Sequence, residues 1–162
     1  MVTEVAKKMI EFSDGNLHDI NHFMKVYAYA KTIGSLERLP ADTQEILEIA
    51  ALVHDIACPL CREKYGNTNG KYQELEGLAL PKELLEELSI PAPVIDRVTY
   101  LVGHHHTYTN VDGLDYQILL EADFLVNADE SQLGTEAIKR MRDKVFQTTS
   151  GIQLLDRMYL TH

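Results

Sequence analysis

Apolar residues recur at spacings of three and four along most of the chain, while the two-residue alternation of a half-buried strand is scarce, which predicts an all-α fold of six or seven helices. The first helix is Thr3 to Phe12, closed by Ser13-Asp14-Gly15. A second runs from Leu17 to Leu39 with Ile20, Phe23, Met24, Tyr27, Ala30 and Ile33 on its apolar face, and Pro40 ends it. Asp42 or Thr43 can cap a third, which buries Ile46, Leu47, Ala50, Val53 and Ile56, carries His54-Asp55 in its last turn and stops at Pro59. Between Cys58 and Lys71 the polar run Gly66-Asn67-Thr68-Asn69-Gly70 reads as a mobile surface loop. Helix resumes at Tyr72, and Pro81 starts a further piece through Ser89. Pro91 and Pro93 open a helix whose Val94, Ile95, Val98, Leu101 and Val102 lead to His104-His105-His106. After a turn at Asn110 to Gly113, Asp115 begins a helix with Ile118, Leu119, Ala122, Leu125 and Val126 as its core stripe. Two more, Gly134 to Phe146 and Ile152 to Leu160, complete a single domain over residues 1–162, their helices (134–160) packed on the rest.

Composition narrows the classes of function. The longest apolar run, Ile49 to Val53, is far short of the roughly 20 residues that cross a bilayer, so no membrane association is expected. A net charge of -10 repels nucleic acid and excludes its non-specific binding. Two cysteines, Cys58 and Cys61, make no disulfide framework and fit a cytoplasmic setting. They also fall short of the four ligands of a structural zinc, and read as incidental thiols.

Against this background the histidines and carboxylates stand out, because they lie in the most apolar helices, where an unpaired charge costs several kcal/mol. His54-Asp55 follows Ile49-Ala50-Ala51-Leu52-Val53, and Asp123 lies between Leu119-Leu120 and Phe124-Leu125-Val126. A divalent cation compensates both residue types, since imidazole nitrogen and carboxylate oxygen both ligate first-row metals. Neighbours on a helix point about 100° apart, so His54 and Asp55 can flank one ion. His22, among Phe23, Val26 and Tyr27, can supply a second imidazole, and Asp123 closes the set. The competing reading is a metal-free hydrogen-bonded network, in which one of the two carboxylates must be protonated.

Read in order, His22-Phe-Met-Lys-Val-Tyr-Ala-Tyr-Ala, Ala50-Ala-Leu-Val-His54-Asp55-Ile, Val98-Thr-Tyr-Leu-Val-Gly-His104-His105-His106 and Leu120-Glu-Ala-Asp123-Phe-Leu resemble the HD-domain superfamily of metal-dependent phosphohydrolases over Leu17 to Asn127. The resemblance implies a helical bundle of the HD-domain type. It makes His22, His54, Asp55 and Asp123 the primary metal ligands, with His54 and Asp55 as the catalytic doublet. Members with a second ion add ligands between the doublet and the final Asp, with Asp55 bridging. Here Glu76, His104 and His105 are the candidates, Glu76 standing where dinuclear relatives often show a His. One or two ions of Fe, Mn, Mg, Co, Ni or Zn are the expected cofactor. Such an ion lowers the pKa of bound water and polarises a phosphoryl oxygen. The implied reaction is hydrolysis of a small phosphorylated metabolite, a nucleotide or another phosphomonoester. Two alternatives stay open: a di-iron oxygenase of the same superfamily, and a non-catalytic module that binds a nucleotide or metal.

An anionic substrate needs local attraction in so acidic a chain. The segment Cys58 to Lys71 sets Arg62, Lys64 and Lys71 against Glu63, a net +2 directly after the doublet, so these three basic residues are the candidate phosphate contacts and Gly66 to Gly70 a flexible lid. Tyr65, Tyr72 and Tyr108 could stack on a base but read first as packing. His18 reads as a structural neighbour of His22, His162 as a disordered terminus, and Asp129-Glu130 and Glu86-Glu87 as solvated helix faces. Ile152, Leu155, Met158 and Tyr159 could serve the core or a homodimer contact.

Overall fold

A computed structural model describes residues 1–161; His162, read above as a disordered terminus, lies outside them. Among the described residues the regular elements are helical, in more segments than the six or seven expected: α1 (Val2–Phe12), α2 (Leu17–Leu36), α3 (Ala41–Val53), α4 (Cys58–Tyr65), α5 (Gly70–Glu76), α6 (Ala79–Glu87), α7 (Ala92–His104), α8 (Leu114–Glu130), α9 (Thr135–Lys144) and α10 (Thr149–Leu155), the last running into a π-helical turn, Asp156–Leu160. No helix among them is long and apolar enough to cross a membrane.

The bundle is built around α8, which is buried without a break from Asp115 to Val126. A helix apolar on only one face would be half solvated, whereas this one is surrounded. α2 and α3 pack on each other and both pack on α8, while α7 closes the third side of α3. α3 is likewise buried continuously from Leu47 to Val53. His54 and Asp123 therefore occupy the middle of the molecule because their helices do. Asn16 caps α2, its side chain accepting from the Asp19 amide at 3.1 Å. At the other end of the chain Leu155 is buried, and Ile152, Met158 and Tyr159 pack against the same core.

The segment expected to be a loop, Cys58 to Lys71, is instead largely helical. Pro59 does not stop α3; it lies in the first turn of α4, where proline's missing amide costs no hydrogen bond. Gly66 then ends α4 in the left-handed region at φ 76°, a conformation glycine adopts without penalty. Asn69 caps α5 by accepting from the Lys71 amide at 3.0 Å. The glycines and asparagines thus punctuate two short helices.

Glu121, fully buried on α8, ties the C-terminal segment to the core. Its carboxylate accepts from Gln117 Nε2 at 2.6 Å, the Gln147 and Thr148 amides at 3.0 and 3.1 Å and the Thr148 hydroxyl at 2.5 Å. A side chain at Gly151 would place its Cβ 1.8 Å from that carboxylate. Glu121→Ala strands the Thr148 groups and is expected to lower stability by roughly 2–4 kcal/mol in urea unfolding; a loss below about 0.5 kcal/mol, the usual range for surface changes, would show that the network carries no stability.

Candidate metal centre and its cavity

Three helices deliver four side chains to one point. His22 comes from the second turn of α2, His54 and Asp55 from the end of α3 and Asp123 from the middle of α8. His22 Nε2 lies 3.2 Å from His54 Nε2, 3.0 Å from Asp55 Oδ2 and 3.3 Å from Asp123 Oδ1. His54 Nε2 lies 3.3 Å from Asp55 Oδ2 and 3.2 Å from Asp123 Oδ1. Donors bound at about 2.0–2.2 Å to one ion, at right angles to each other, are about 3 Å apart.

The remote ring nitrogens decide what these atoms can accept. His54 Nδ1–H donates to the Ala51 carbonyl at 2.7 Å, and His22 Nδ1–H donates to Glu130 Oε1 at 2.7 Å. In the neutral ring each Nε2 then turns a lone pair inward, toward the other lone pair and two carboxylate oxygens. With both rings neutral, four acceptors converge with no donor among them. Asp123 Oδ1 is buried with no hydrogen-bond partner. The same demand shows in the ionisation of these four groups. Burial opposes a charge on His22, yet its contacts with Asp123 and Asp55 raise it to about 10. Burial likewise opposes a charge on His54, which Asp55 and Asp123 hold well above the usual imidazole range. Burial would raise Asp55 and Asp123, but the histidines, His54 foremost, hold both below the usual carboxylate range. The floor of the site draws in positive charge, and the donor set fits a divalent cation.

A second group adjoins the first. Asp55 Oδ1 lies 3.4 Å from His105 Nε2, and Asp55, His105 and His106 offer ligand atoms within 4.8 Å of one another. Asp55 thus presents one oxygen to each group, as a bridging ligand would. His105 is buried with Nε2 unpartnered, while its Nδ1–H donates to the Val102 carbonyl at 2.7 Å. His106 is turned by Gln73, whose side-chain oxygen is 3.1 Å from Nε2. Burial foremost, and then His105, lower His106 to about 4, so it is a neutral ring suited to a metal.

Two expected ligands are not brought to the second group. His104, the last residue of α7, stacks on Tyr100 and binds the Tyr100 carbonyl, whereas His106 takes the place expected of it. The helical repeat fails at this point because α7 ends at His104 and the chain leaves the helix at His105. Glu76 is engaged elsewhere: Lys64 donates to its Oε1 at 2.7 Å and the Tyr65 hydroxyl at 2.6 Å. One supporting residue escaped the reading of the sequence. Glu130, expected on a solvated face, lies seven residues after Asp123 and so on the same side of α8; that spacing was the available signal.

A cavity of about 360 Å³ opens onto the first group through His22, Asp55 and Asp123. Met9, Phe12, Phe23 and Ile56 form its apolar side, and Asn127, Glu130 and Ser131 a polar one. α4, α5 and the turn between them cover it with Cys58, Arg62, Thr68 and Gln73. α5 can approach so closely because residue 70 is glycine: a Cβ there would lie 2.8 Å from the His106 ring. Arg62 is thus the one of the three candidate phosphate contacts that lines the cavity, paired there with Asp19. Lys64 is held by Glu76, and neither it nor Lys71 reaches the wall. His18 sits at the mouth, 3.5 Å from Asp19. Tyr65 and Tyr72 stack on each other with centroids 4.0 Å apart, and Tyr108 is half exposed; none of the three lines the cavity. Burial pushes the Cys58 thiol far above its ordinary range, so it stays protonated.

Comparison with curated proteins gave no match. Among solved structures the chain is similar to one described as a predicted HD superfamily hydrolase from an uncultured Thermotogales bacterium, with 24% identity and a TM-score of 0.66 over 96% of this chain and 83% of that one. At that identity the likeness speaks for the fold. The family model for the HD domain matches residues 19–139, from the first turn of α2 into α9 and across all four donor side chains, so the chain belongs to the HD-domain superfamily of metal-dependent phosphohydrolases.

Proposed function

We propose that the protein is a metal-dependent phosphohydrolase acting on a small phosphorylated metabolite, a nucleotide or another phosphomonoester. The observation that carries this reading is the convergence of His22 Nε2, His54 Nε2, Asp55 Oδ2 and Asp123 Oδ1 beside a ligand-sized cavity with the remote nitrogens of both rings already engaged. His22, His54, Asp55 and Asp123 would hold one divalent cation, and Asp55, His105 and His106 a second. When bound, such ions polarise a phosphoryl oxygen and supply a water nucleophile at neutral pH.

The chain's own residues account for the rest. Asp55 offers oxygens to both groups and so fixes their separation. Arg62 binds a phosphate oxygen at the covered end, with Asp19 holding the guanidinium across from α4 to α2. Thr68 and Gln73 exclude water from that side, and Met9, Phe12, Phe23 and Ile56 receive the less polar part of the substrate. The charge balance favours two ions. Asp19, Asp55, Asp123 and Glu130 face the single guanidinium of Arg62, so one divalent cation leaves the cavity anionic and two make it cationic. Only the second state attracts a phosphate dianion.

Elemental analysis of the purified protein, alongside a screen of phosphomonoesters, tests the reading. Wild type is expected to carry Mn, Fe, Co, Ni, Mg or Zn and to release phosphate. Asp55→Ala should lose metal and more than about 100-fold in kcat/KM, the rate equivalent of several kcal/mol. Metal-bearing protein that consumes O2 and releases no phosphate would favour the oxygenase alternative. Arg62→Ala is expected to raise KM about ten- to a hundredfold, the worth of a charge-assisted hydrogen bond, while Lys71→Ala leaves it unchanged. The opposite ranking of the two variants would move the phosphate contact to α5.

A further inference from the structure

We infer that Glu130 is a positioning residue that makes the His22, His54 and Asp123 group the tighter of the two metal groups, so that the Asp55, His105 and His106 group fills second. The inference rests on the metal reading above and concerns what sets the order of filling.

Glu130 is badly placed for its own helix. It occupies the last turn of α8, where the exposed carbonyls carry partial negative charge, beside Asp129 and with no basic residue in that turn. Its carboxylate is only 19% exposed, so solvent does little to offset this. What it does is hold His22: Oε1 accepts from Nδ1–H at 2.7 Å across 108 residues of sequence. Because Glu130 follows Asp123 by two turns, one rigid helix delivers both a donor atom and the support of another donor.

The other ring nitrogens are held by uncharged acceptors. His54 leans on the Ala51 carbonyl and His105 on the Val102 carbonyl, both at 2.7 Å, and His106 on the Gln73 side-chain oxygen at 3.1 Å. A hydrogen bond to an ionised acceptor is roughly twice as strong as one between neutral groups, and it pushes electron density toward the far nitrogen. His22 Nε2 is therefore both the most firmly oriented imidazole and the best donor of the four. The second group has no such support. It shares Asp55 with the first and depends on His106, whose orientation rests on one amide of the covering helix α5.

The test is a Mn2+ titration of metal-free protein against a competing chelator, for wild type, Glu130→Gln and Glu130→Ala. Wild type should show a tight class and a weaker one. Glu130→Ala, which removes the hydrogen-bond partner, should weaken the tight class about 10- to 100-fold, and Glu130→Gln, which keeps only a neutral acceptor, by a smaller factor of about 3- to 10-fold, both leaving the weaker class unmoved. Glu130→Gln keeps the shape of the side chain, so the result stands even where Glu130→Ala fails to fold. A tight class unmoved in Glu130→Gln, or an equal fall in both classes, overturns the inference while leaving the phosphohydrolase reading intact. A wild type that binds no divalent metal at all overturns both.

Discussion

Two imidazole nitrogens and two carboxylate oxygens, each about 3.0–3.3 Å from its neighbours and buried among apolar helices, cannot coexist without a positive charge between them. Acceptors facing acceptors in a medium of low dielectric repel, and each loses the water it would otherwise bind. The chain nonetheless invests its most buried elements in this arrangement: α8 surrounded along most of its length, and α3 buried as it approaches the His54-Asp55 corner. Hydrogen bonds from the outer nitrogens to Ala51 and Glu130 lock both rings with Nε2 facing the two carboxylates, the orientation that a metal-ligating imidazole needs.

The surrounding cavity follows from the same constraint. An acidic chain lined with further carboxylates at the site is a poor host for an anion. On the proposed two-ion reading, occupancy of the second group would govern the sign of the field that a substrate meets. α4 and α5 complete the enclosure, and their attachment is specific: Arg62 to Asp19, His106 to Gln73, and Thr107 to Glu74 at 3.1 Å. Through Gln73 the covering segment touches a candidate ligand directly, so enclosure of the cavity and organisation of the second group are one structural event.

The four primary donors were legible because they break a pattern. A histidine or aspartate directly following a run such as Ile49 to Val53 is anomalous on a buried helix, and helical spacing places it beside its neighbours. The helices of the bundle core were legible for the same reason, since α2, α3, α7 and α8 repeat apolar residues over three turns or more. Where the repeat is interrupted, legibility ends. Pro59 and Gly66 read as breakers, whereas one opens α4 and the other closes it, a distinction that depends on where the previous helix has already stopped. His106 lies beyond the last residue of α7, where the helical repeat no longer says which way a side chain points. Glu76 was assigned by its place between doublet and final Asp, but once Cys58–Tyr65 is helical, Lys64 and Tyr65 come within hydrogen-bonding distance and claim it. Contacts between residues remote in sequence, such as His22 with Glu130, leave only a weak spacing signal.

Anomalous diffraction from crystals grown with Mn2+ tests the central claim most directly, because it locates the charge that the four acceptors require. The account predicts a peak within about 2.0–2.3 Å of His22 Nε2, His54 Nε2, Asp55 Oδ2 and Asp123 Oδ1. An empty position there, with protonated imidazoles hydrogen-bonded to Asp55 and Asp123 in its place, would contradict it.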